Sequence, residues 1–363
     1  LRDLLLKGVG LFFTPTPLTP EEVDYSQIKR ILVVRQHDQI GDLLLATPAL
    51  RALREKFPQA YIAVVVRKQT QEILINNPYV DEVLVYYRQI QYWNLSTFLT
   101  FMRRIRPYDL AIVLNTVSRS FSSDLIAWLS GARYRLGSIY KKYGLGPGDF
   151  FYNLAVPVDT QNGKSQVDYN LDVVRYIGAD TTDKSYVMVL TEAEILQGRQ
   201  MLQSLHIPPA RRLIGVHLGA RFENKRWPLE KYAHLCDALV NLYGAKIVLT
   251  RGPGEEKLVE TLKQQVQHKE SVFISPPTTL RTLASLVRNF DLYIGNDTGA
   301  LHVAASQKVP LIGLYGPSNP AQWKPIGDIY LAIRKENGKI DAISVEEVLA
   351  GIETLFKKLQ YEK

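Results

Sequence analysis

Ile31-Leu32-Val33-Val34-Arg35 runs into Gln36-His37-Asp38-Gln39-Ile40-Gly41, and that into Asp42-Leu43-Leu44-Leu45-Ala46-Thr47-Pro48-Ala49-Leu50. The first run is short, apolar and β-branched, which predicts a buried strand over 31–35. The second is polar and contains a glycine, so it reads as a loop. From Asp42 onward, Leu43, Leu44, Thr47, Leu50, Leu53 and Phe57 recur at helical spacing and predict a helix over 42–57. A strand that turns through a polar loop into a helix is the opening of a βαβ unit.

The same alternation continues outward. Strands are predicted over 61–66, 82–86 and 110–114, with a helix over 92–106 and another ending at Gly131, well placed as a C-cap. This predicts a parallel sheet covered by helices on both faces. Residues 138–185 interrupt the rhythm with glycines, prolines and tyrosines (Tyr140-Lys141-Lys142-Tyr143-Gly144-Leu145-Gly146-Pro147-Gly148) before a helical stretch over 169–177. A domain junction is expected near 180–190. Beyond it, strands are predicted over 213–217, 246–250, 272–274, 292–294 and 311–314. Helices are predicted over 228–243, 255–266, 279–289, 298–306 and 344–358, the first of them with Pro228 in its first turn. The fold class is therefore α/β, two doubly wound domains in series, with ligand sites at the carboxyl ends of strands facing a shared cleft.

The 363-residue length favours two domains, because single cores seldom grow past roughly 250–300 residues. Lysine and arginine exceed aspartate and glutamate by 44 − 36 = 8, a balance that suits an acidic partner. Nucleic acid is disfavoured among such partners, because the cations are scattered and no recognisable nucleic-acid module is present. The single cysteine, Cys236, excludes an internal disulfide framework and any multi-cysteine metal site. It sits at helical apolar spacing and reads as a small core residue. No uninterrupted apolar run approaches the ~20 residues that cross a bilayer. Residues 1–25 read as an extension, apolar to Phe13 and stopped by Pro15, Pro17 and Pro20, that packs on the body or touches a membrane surface.

Four segments at predicted strand ends can carry chemistry. Asp42 begins a helix, where the terminus stabilises its anion and keeps it ready to accept a proton from a sugar hydroxyl. Taken alone, that segment favours plain helix capping. Asn296-Asp297-Thr298-Gly299-Ala300-Leu301-His302 opens another helix. Its backbone N–H groups suit a diphosphate, Gly299 allows close approach, Thr298 offers a hydroxyl, and His302 lies one turn later. Arg221-Phe222-Glu223-Asn224-Lys225-Arg226-Trp227-Pro228 brings two adjacent cations, Lys225 and Arg226, able to neutralise a departing nucleotide diphosphate. Arg251-Gly252-Pro253-Gly254-Glu255-Glu256 offers a carboxylate to a nucleoside, or simply acids at a helix start. The chain has no Walker A sequence, no strict GxGxxG, no HExxH and no Asp-x-Asp triplet, which weakens ATP hydrolysis, ordinary dinucleotide binding and a metal-held diphosphate.

Together these segments resemble the glycosyltransferase family 9 heptosyltransferases, over about residues 30–360. The most specific part is Asp297-Thr298-Gly299-Ala300-Leu301-His302-Val303-Ala304-Ala305, followed by Val309-Pro310 and Leu314-Tyr315-Gly316-Pro317-Ser318; the run from Gly41 to Leu50 supports it at the other end. The resemblance implies a GT-B architecture of two facing Rossmann-like domains. It divides the chain into an extension (1–25), an acceptor domain (26–185), a nucleotide-sugar domain (186–340) and a final helix (341–363) that packs back toward the first domain. It implies inverting, metal-independent transfer of a heptose from ADP-heptose, as substrate and with no cofactor, to Kdo-lipid A or heptosyl-Kdo-lipid A of the lipopolysaccharide inner core. By the same resemblance Asp42 is the base, Lys225 meets the diphosphate, and Asp297, Thr298, Gly299, Ala300 and His302 form the donor loop. Glu255 falls at the nucleoside contact, with Glu256 an equal match. The implied location is cytoplasmic and peripheral to the inner membrane. Arg67, Lys68, Arg119, Arg133 and Arg135 are the basic residues assigned to anionic groups of the acceptor, against plain surface charge. The chain departs from the family at Asn115-Thr116-Val117-Ser118-Arg119-Ser120, where an acidic Asp-x-Gln-Gly-like context is usual. Two other readings compete: a transferase of the same fold with another nucleotide sugar and a polysaccharide acceptor, and a two-lobed protein that binds a nucleotide sugar without turnover.

Overall fold

The structure is a computed structural model that describes residues 16–116, 120–140, 151–158 and 163–361. The chain divides between Val187 and Met188 into two compact units. The first holds six parallel strands, β1 (Arg30–Val34), β2 (Tyr61–Arg67), β3 (Glu82–Tyr86), β4 (Leu110–Val113), β5 (Tyr134–Tyr140) and β6 (Leu154–Val158), in the order β3-β2-β1-β4-β5-β6. Its helices are α1 (Ile40–Lys56), α2 (Leu95–Arg104), α3 (Phe121–Leu129) and α4 (Gln166–Arg175). A parallel strand covered on both faces must be apolar throughout, and Ile31, Leu32, Val33 and Val34 are all fully buried.

The expected interruption over 138–185 is corrected by β5 and β6, which complete the sheet. Gly137 hides β5 from a reading by β-branched runs, yet the strand needs it. A Cβ there would lie 2.2 Å from Cε1 of Tyr152, whose ring packs against the backbone. Pro157 similarly disguises β6, the edge strand, where a missing N–H is tolerated. Of the N-terminal extension, residues 1–15 lie outside the described residues. Residues 16–25 pack on the first unit: Leu18 N–H donates to the Asn153 carbonyl (2.8 Å), Val23 is buried, and the Tyr25 ring lies 6.2 Å from that of Phe57 and under the Lys56 ammonium. The last residues of the unit are tied down by Arg51, which pairs with Asp183 (3.1 Å) and donates to the Ser185 carbonyl, and by Val187 N–H, which donates to Thr47 Oγ1 (3.0 Å).

The second unit repeats the plan with β7 (Arg212–His217), β8 (Ala245–Thr250), β9 (Val272–Ile274), β10 (Leu292–Asn296), β11 (Leu311–Tyr315) and β12 (Tyr330–Arg334), in the order β12-β11-β10-β7-β8-β9. Around it stand α5 (Glu192–Gln203), α6 (Leu229–Tyr243), α7 (Glu256–Gln265), α8 (Leu280–Val287), α9 (Gly299–Ser306), α10 (Pro320–Trp323) and α11 (Val345–Tyr361). Cys236 is fully buried in α6, and burial pushes its thiol up to about 12, consistent with a core residue and not a nucleophile. On α11, Val348, Ile352, Leu355 and Phe356 enter the second unit's core, with the Phe356 ring edge-on to Tyr243 at 5.3 Å. In each unit the strand order reverses beside the first strand, between β1 and β4 and between β7 and β10. Doubly wound sheets bind ligands at that point, outside the carboxyl ends of the strands.

Candidate functional site

In the second unit the loops after β7 and β10 are joined by one side chain. Asn296, the last residue of β10, is fully buried. Its Nδ2 donates to the carbonyls of Leu218 (2.8 Å) and Gly219 (3.3 Å), and its Oδ1 accepts from Trp227 N–H (3.1 Å) and the Tyr232 hydroxyl (3.0 Å). Because Trp227 N–H can only donate, the amide has one satisfiable orientation. Trp227 is further held by its Nε1 bond to the Ile343 carbonyl (3.0 Å) and by the Tyr232 ring at 4.8 Å.

This stitching fixes Lys225, on a short 3-10 turn over Glu223–Lys225, so that Nζ meets Asp297 Oδ2 at 2.8 Å. Arg226, the other cation expected here, instead donates to the Ala220 carbonyl (2.9 Å). Thr298 is the extended N-cap of α9 and makes no side-chain cap bond; its Oγ1 is buried without a hydrogen-bond partner. Gly299 and Ala300 form the half-buried first turn, and His302 is buried one turn further. The Asp297 carboxylate would repel a diphosphate, so its place in the site is to hold Lys225 rather than to touch phosphate.

Glu255 and Glu256 separate clearly. Glu255 folds back to accept Gly252 N–H (2.6 Å), its Oε2 standing 3.8 Å from His217 Nε2. Glu256 lies half-exposed, 3.7 Å from Arg251. Gly219 makes the room for Glu255, since a Cβ there would fall 1.6 Å from Glu255 Oε1. Burial holds the His217 imidazole below its ordinary pKa, against the opposing Glu255 charge. Neutral His217 Nδ1 then carries the proton it donates to the Thr250 carbonyl (3.2 Å), which leaves Nε2 an acceptor. Two acceptors side by side at a strand end suit a ligand with hydroxyl hydrogens.

In the first unit Asp42 is half-buried in the first turn of α1, and its Oδ2 accepts Gln39 N–H at 3.0 Å. The capping role is thus real. The other oxygen makes no hydrogen bond among the described residues and is available as a proton acceptor. Beneath it Arg35 is buried, donating to Asp38, to the Leu114 carbonyl, to Asn170 Oδ1 (3.2 Å) and to the Asp42 carbonyl (3.1 Å). Burial outweighs the Arg35 attraction on Asp38 and, with the Asp42 charge, raises its carboxyl to about 7. His37 Nε2 lies 2.9 Å from Ser122 Oγ, and partial burial with nearby Arg67 and Arg88 holds its imidazole below the ordinary value.

The basic residues assigned to an acceptor divide. Arg67 ends β2 and Lys68 follows it, exposed, at the same end of the sheet as Asp42. Arg133 and Arg135 stand at the start of β5, the opposite end, and Arg135 donates to the carbonyls of Phe151 (2.7 Å) and Ala132 (2.8 Å). Arg119 lies outside the described residues. Arg35, Asp38, His217, Gly219 and Asn296 were not among the predicted site residues. The one signal for them in the sequence is position, each lying at or just beyond a strand end. A cavity of about 320 Å³ between the edge strand β3 and α2, lined by Val83, Val85, Tyr87, Ser96, Thr100 and Arg104, is two strands away from β1. Among the described residues no group of His, Cys, Asp and Glu side chains gathers to hold a metal ion.

Known proteins are similar to this chain in sequence and in fold. Lipopolysaccharide heptosyltransferase 3 of Escherichia coli is 26% identical over 289 residues, 78% of this chain and 83% of the relative. The crystal structure of a family 9 glycosyl transferase from Veillonella parvula superposes with a TM-score of 0.78 at 26% identity, over 93% of this chain and 99% of that one. The structure of Escherichia coli ADP-heptose lps heptosyltransferase II superposes with a TM-score of 0.72 over 92% of this chain and 100% of that one; at 23% identity it speaks for the fold alone. The fold class is the α/β GT-B class of these structures. The description of glycosyltransferase family 9 (heptosyltransferase) matches residues 99–351, well over half of the sequence, and takes in the Lys225–Asp297 pair, the Asn296 junction and the opening of α9: this chain belongs to that family and is a glycosyltransferase.

Proposed function

We propose that this chain moves a heptose from ADP-heptose to the inner core of lipopolysaccharide, with inversion at the anomeric carbon and without a metal ion. One observation carries the donor half. A cation, Lys225, is held beside a helix N-terminus whose capping hydroxyl, Thr298, is buried and unpartnered. N–H groups, a hydroxyl and an ammonium converging on one point suit a diphosphate. Glu255 and His217 Nε2, both acceptors, suit the hydroxyls of the attached nucleoside. The second unit is thus the donor domain and the first the acceptor domain. Asp42 takes the proton of the acceptor hydroxyl as its oxygen bonds to the anomeric carbon. The bond from that carbon to phosphate breaks, and ADP departs with its new charge stabilised by Lys225 and the α9 terminus. Arg67 and Lys68 face anionic groups of the acceptor. Support for heptose and for a lipopolysaccharide acceptor comes from the relatives' names. A lipid-borne acceptor implies work at the cytoplasmic face of the inner membrane, and no helix among the described residues is long and apolar enough to cross a membrane.

The test is single-turnover transfer from ADP-heptose to Kdo-lipid A with divalent ions chelated. Asp42→Asn is expected to lose about 10²- to 10⁴-fold in rate while ADP binding is retained. Full activity in that variant would remove Asp42 from its role. No transfer by the parent from this donor would favour another nucleotide sugar, to be found with a donor panel.

A further inference from the structure

Helix α2 and the chain leading into it expose an apolar surface that the transfer reaction does not use. Eleven large apolar side chains are exposed among the described residues, and four of them fall within eight positions: Tyr92 at 53%, Leu95 at 73%, Phe98 at 48% and Leu99 at 45%. At 100° per residue, Leu95, Phe98, Leu99 and Met102 form one stripe along α2. Phe101 and the following Ile105, on the neighbouring side, enter the core. The helix therefore has more apolar face than its own unit covers. The surface is rigidly backed: the Trp93 ring lies 5.2 Å from Phe101, 5.6 Å from Tyr86 and 6.3 Å from Phe98, and its Nε1 donates to the Tyr87 carbonyl. Residues 86–107 contain four arginines, Arg88, Arg103, Arg104 and Arg106, and no aspartate or glutamate. Arg104 pairs with Glu82, whereas Arg88 and Arg103 are exposed with no ion pair among the described residues.

We propose that this face, Tyr92, Leu95, Phe98 and Leu99 flanked by Arg88 and Arg103, docks the protein on an anionic lipid bilayer. An apolar stripe edged by cations is the pattern of a helix lying in a membrane interface, and the clustered aromatic rings suit the headgroup level. A second copy of the chain is a poorer occupant. A two-fold contact through this face would bring its unpaired arginines together with no acid to answer them. The placement also suits the reaction. The charges of Arg88 and Arg67 both act on His37, so the cationic end of the surface lies toward the loop that leads into α1 and Asp42. That the bilayer delivers the acceptor rests on the function proposed above; the surface itself does not.

The test is co-sedimentation of the full chain with vesicles of phosphatidylglycerol and phosphatidylcholine in equal parts, and with phosphatidylcholine alone. The parent should bind the anionic vesicles, less so as salt is raised, and bind the neutral ones weakly. The triple variant Leu95→Ser, Phe98→Ser, Leu99→Ser should bind at least about tenfold more weakly, as should Arg88→Glu with Arg103→Glu, both with the parent's melting temperature. Transfer to a delipidated, soluble acceptor should be equal in parent and variants, and transfer to vesicle-borne acceptor slower in the variants. If the parent transfers to neither acceptor, the reaction is misassigned and the vesicle result stands by itself. Parent that ignores anionic vesicles, variants that bind as well as it does, or a dimer that the triple variant dissolves would each overturn the proposal.

Discussion

Asn296 ties together the loops after β7 and β10 that the proposed donor site uses, through bonds to Leu218, Gly219, Trp227 and Tyr232. Replacing it by alanine strands two carbonyls and one backbone N–H in a buried place, while the Tyr232 hydroxyl keeps the His217 carbonyl (3.3 Å), and each orphaned group costs about 1–3 kcal/mol. Asn296→Ala is expected to destabilise the protein by about 3 kcal/mol in urea unfolding and to raise the donor KM, because the Lys225 turn loses its anchor. Asn296→Asp keeps the acceptor for Trp227 N–H and should recover part of the KM but not the bonds to Leu218 and Gly219. An unchanged donor KM in a folded Asn296→Ala would deny it any positioning role. The segment from Asn296 to His302 stood out in the sequence as a phosphate cradle, but the function of its first residue did not. Its partners lie 64–78 positions away, and no local spacing encodes them. The same holds for Glu255 against Glu256, adjacent acids that only the bare backbone of Gly219 distinguishes. Charge alone also grouped Arg133 and Arg135 with Arg67 and Lys68, because composition does not say which end of a strand a residue occupies.

At the scale of elements, the strands that sequence alone locates are those buried on both faces, such as β1 and β7. A continuous apolar run is what that environment demands. The elements it does not locate obey other constraints: β5 carries Gly137 for the Tyr152 ring, β6 carries Pro157 at an edge, and β12, also an edge, is only half-buried. Helix α5 was overlooked although a capping box announces it, Thr191 and Glu194 exchanging bonds of 3.3 and 2.8 Å. Helix α5 earns its place through α8. The Arg281 guanidinium pairs with Glu194, holding that carboxyl down to about 2, and Gly198 lets the Ser285 backbone come close. A Cβ on Gly198 would sit 2.5 Å from the Ser285 carbonyl carbon, a backbone atom that cannot swing away. Gly198→Ala gains about 1 kcal/mol of helix propensity and loses more to forced separation of the helices, typically 1–3 kcal/mol. The expected net result is a melting temperature a few degrees lower. A higher one would mean that α5 and α8 are free to shift apart.

Across the whole molecule, the same six-stranded order occurs twice, so topology alone does not say which unit takes the nucleotide. The proposal that the second unit takes it rests on side-chain chemistry at the two reversal points. After β1 the buried Arg35 is already engaged by Asp38, Asn170 and two carbonyls, and the adjoining helix turn presents a carboxylate, Asp42. After β7 and β10 stand the Lys225 ammonium, paired with Asp297, and next to Asp297 in the chain the unpartnered Thr298 hydroxyl and the N-terminus of α9. ADP is therefore expected to protect backbone amides over 218–228, 252–256 and 296–303 from hydrogen exchange, and to leave 35–42 unchanged. At free ADP about a hundredfold above its Kd, linkage adds about 2.7 kcal/mol to the stability of whichever unit binds it, enough to be read in the second unit's slowest amides. Lys225→Ala should weaken ADP binding about tenfold or more and shrink that protection in proportion, while the first unit's exchange stays as in the parent. Protection confined to 35–42 would exchange the roles of the two units and place the sugar donor above Asp42, where the carboxylate would have to be neutralised before a diphosphate could settle.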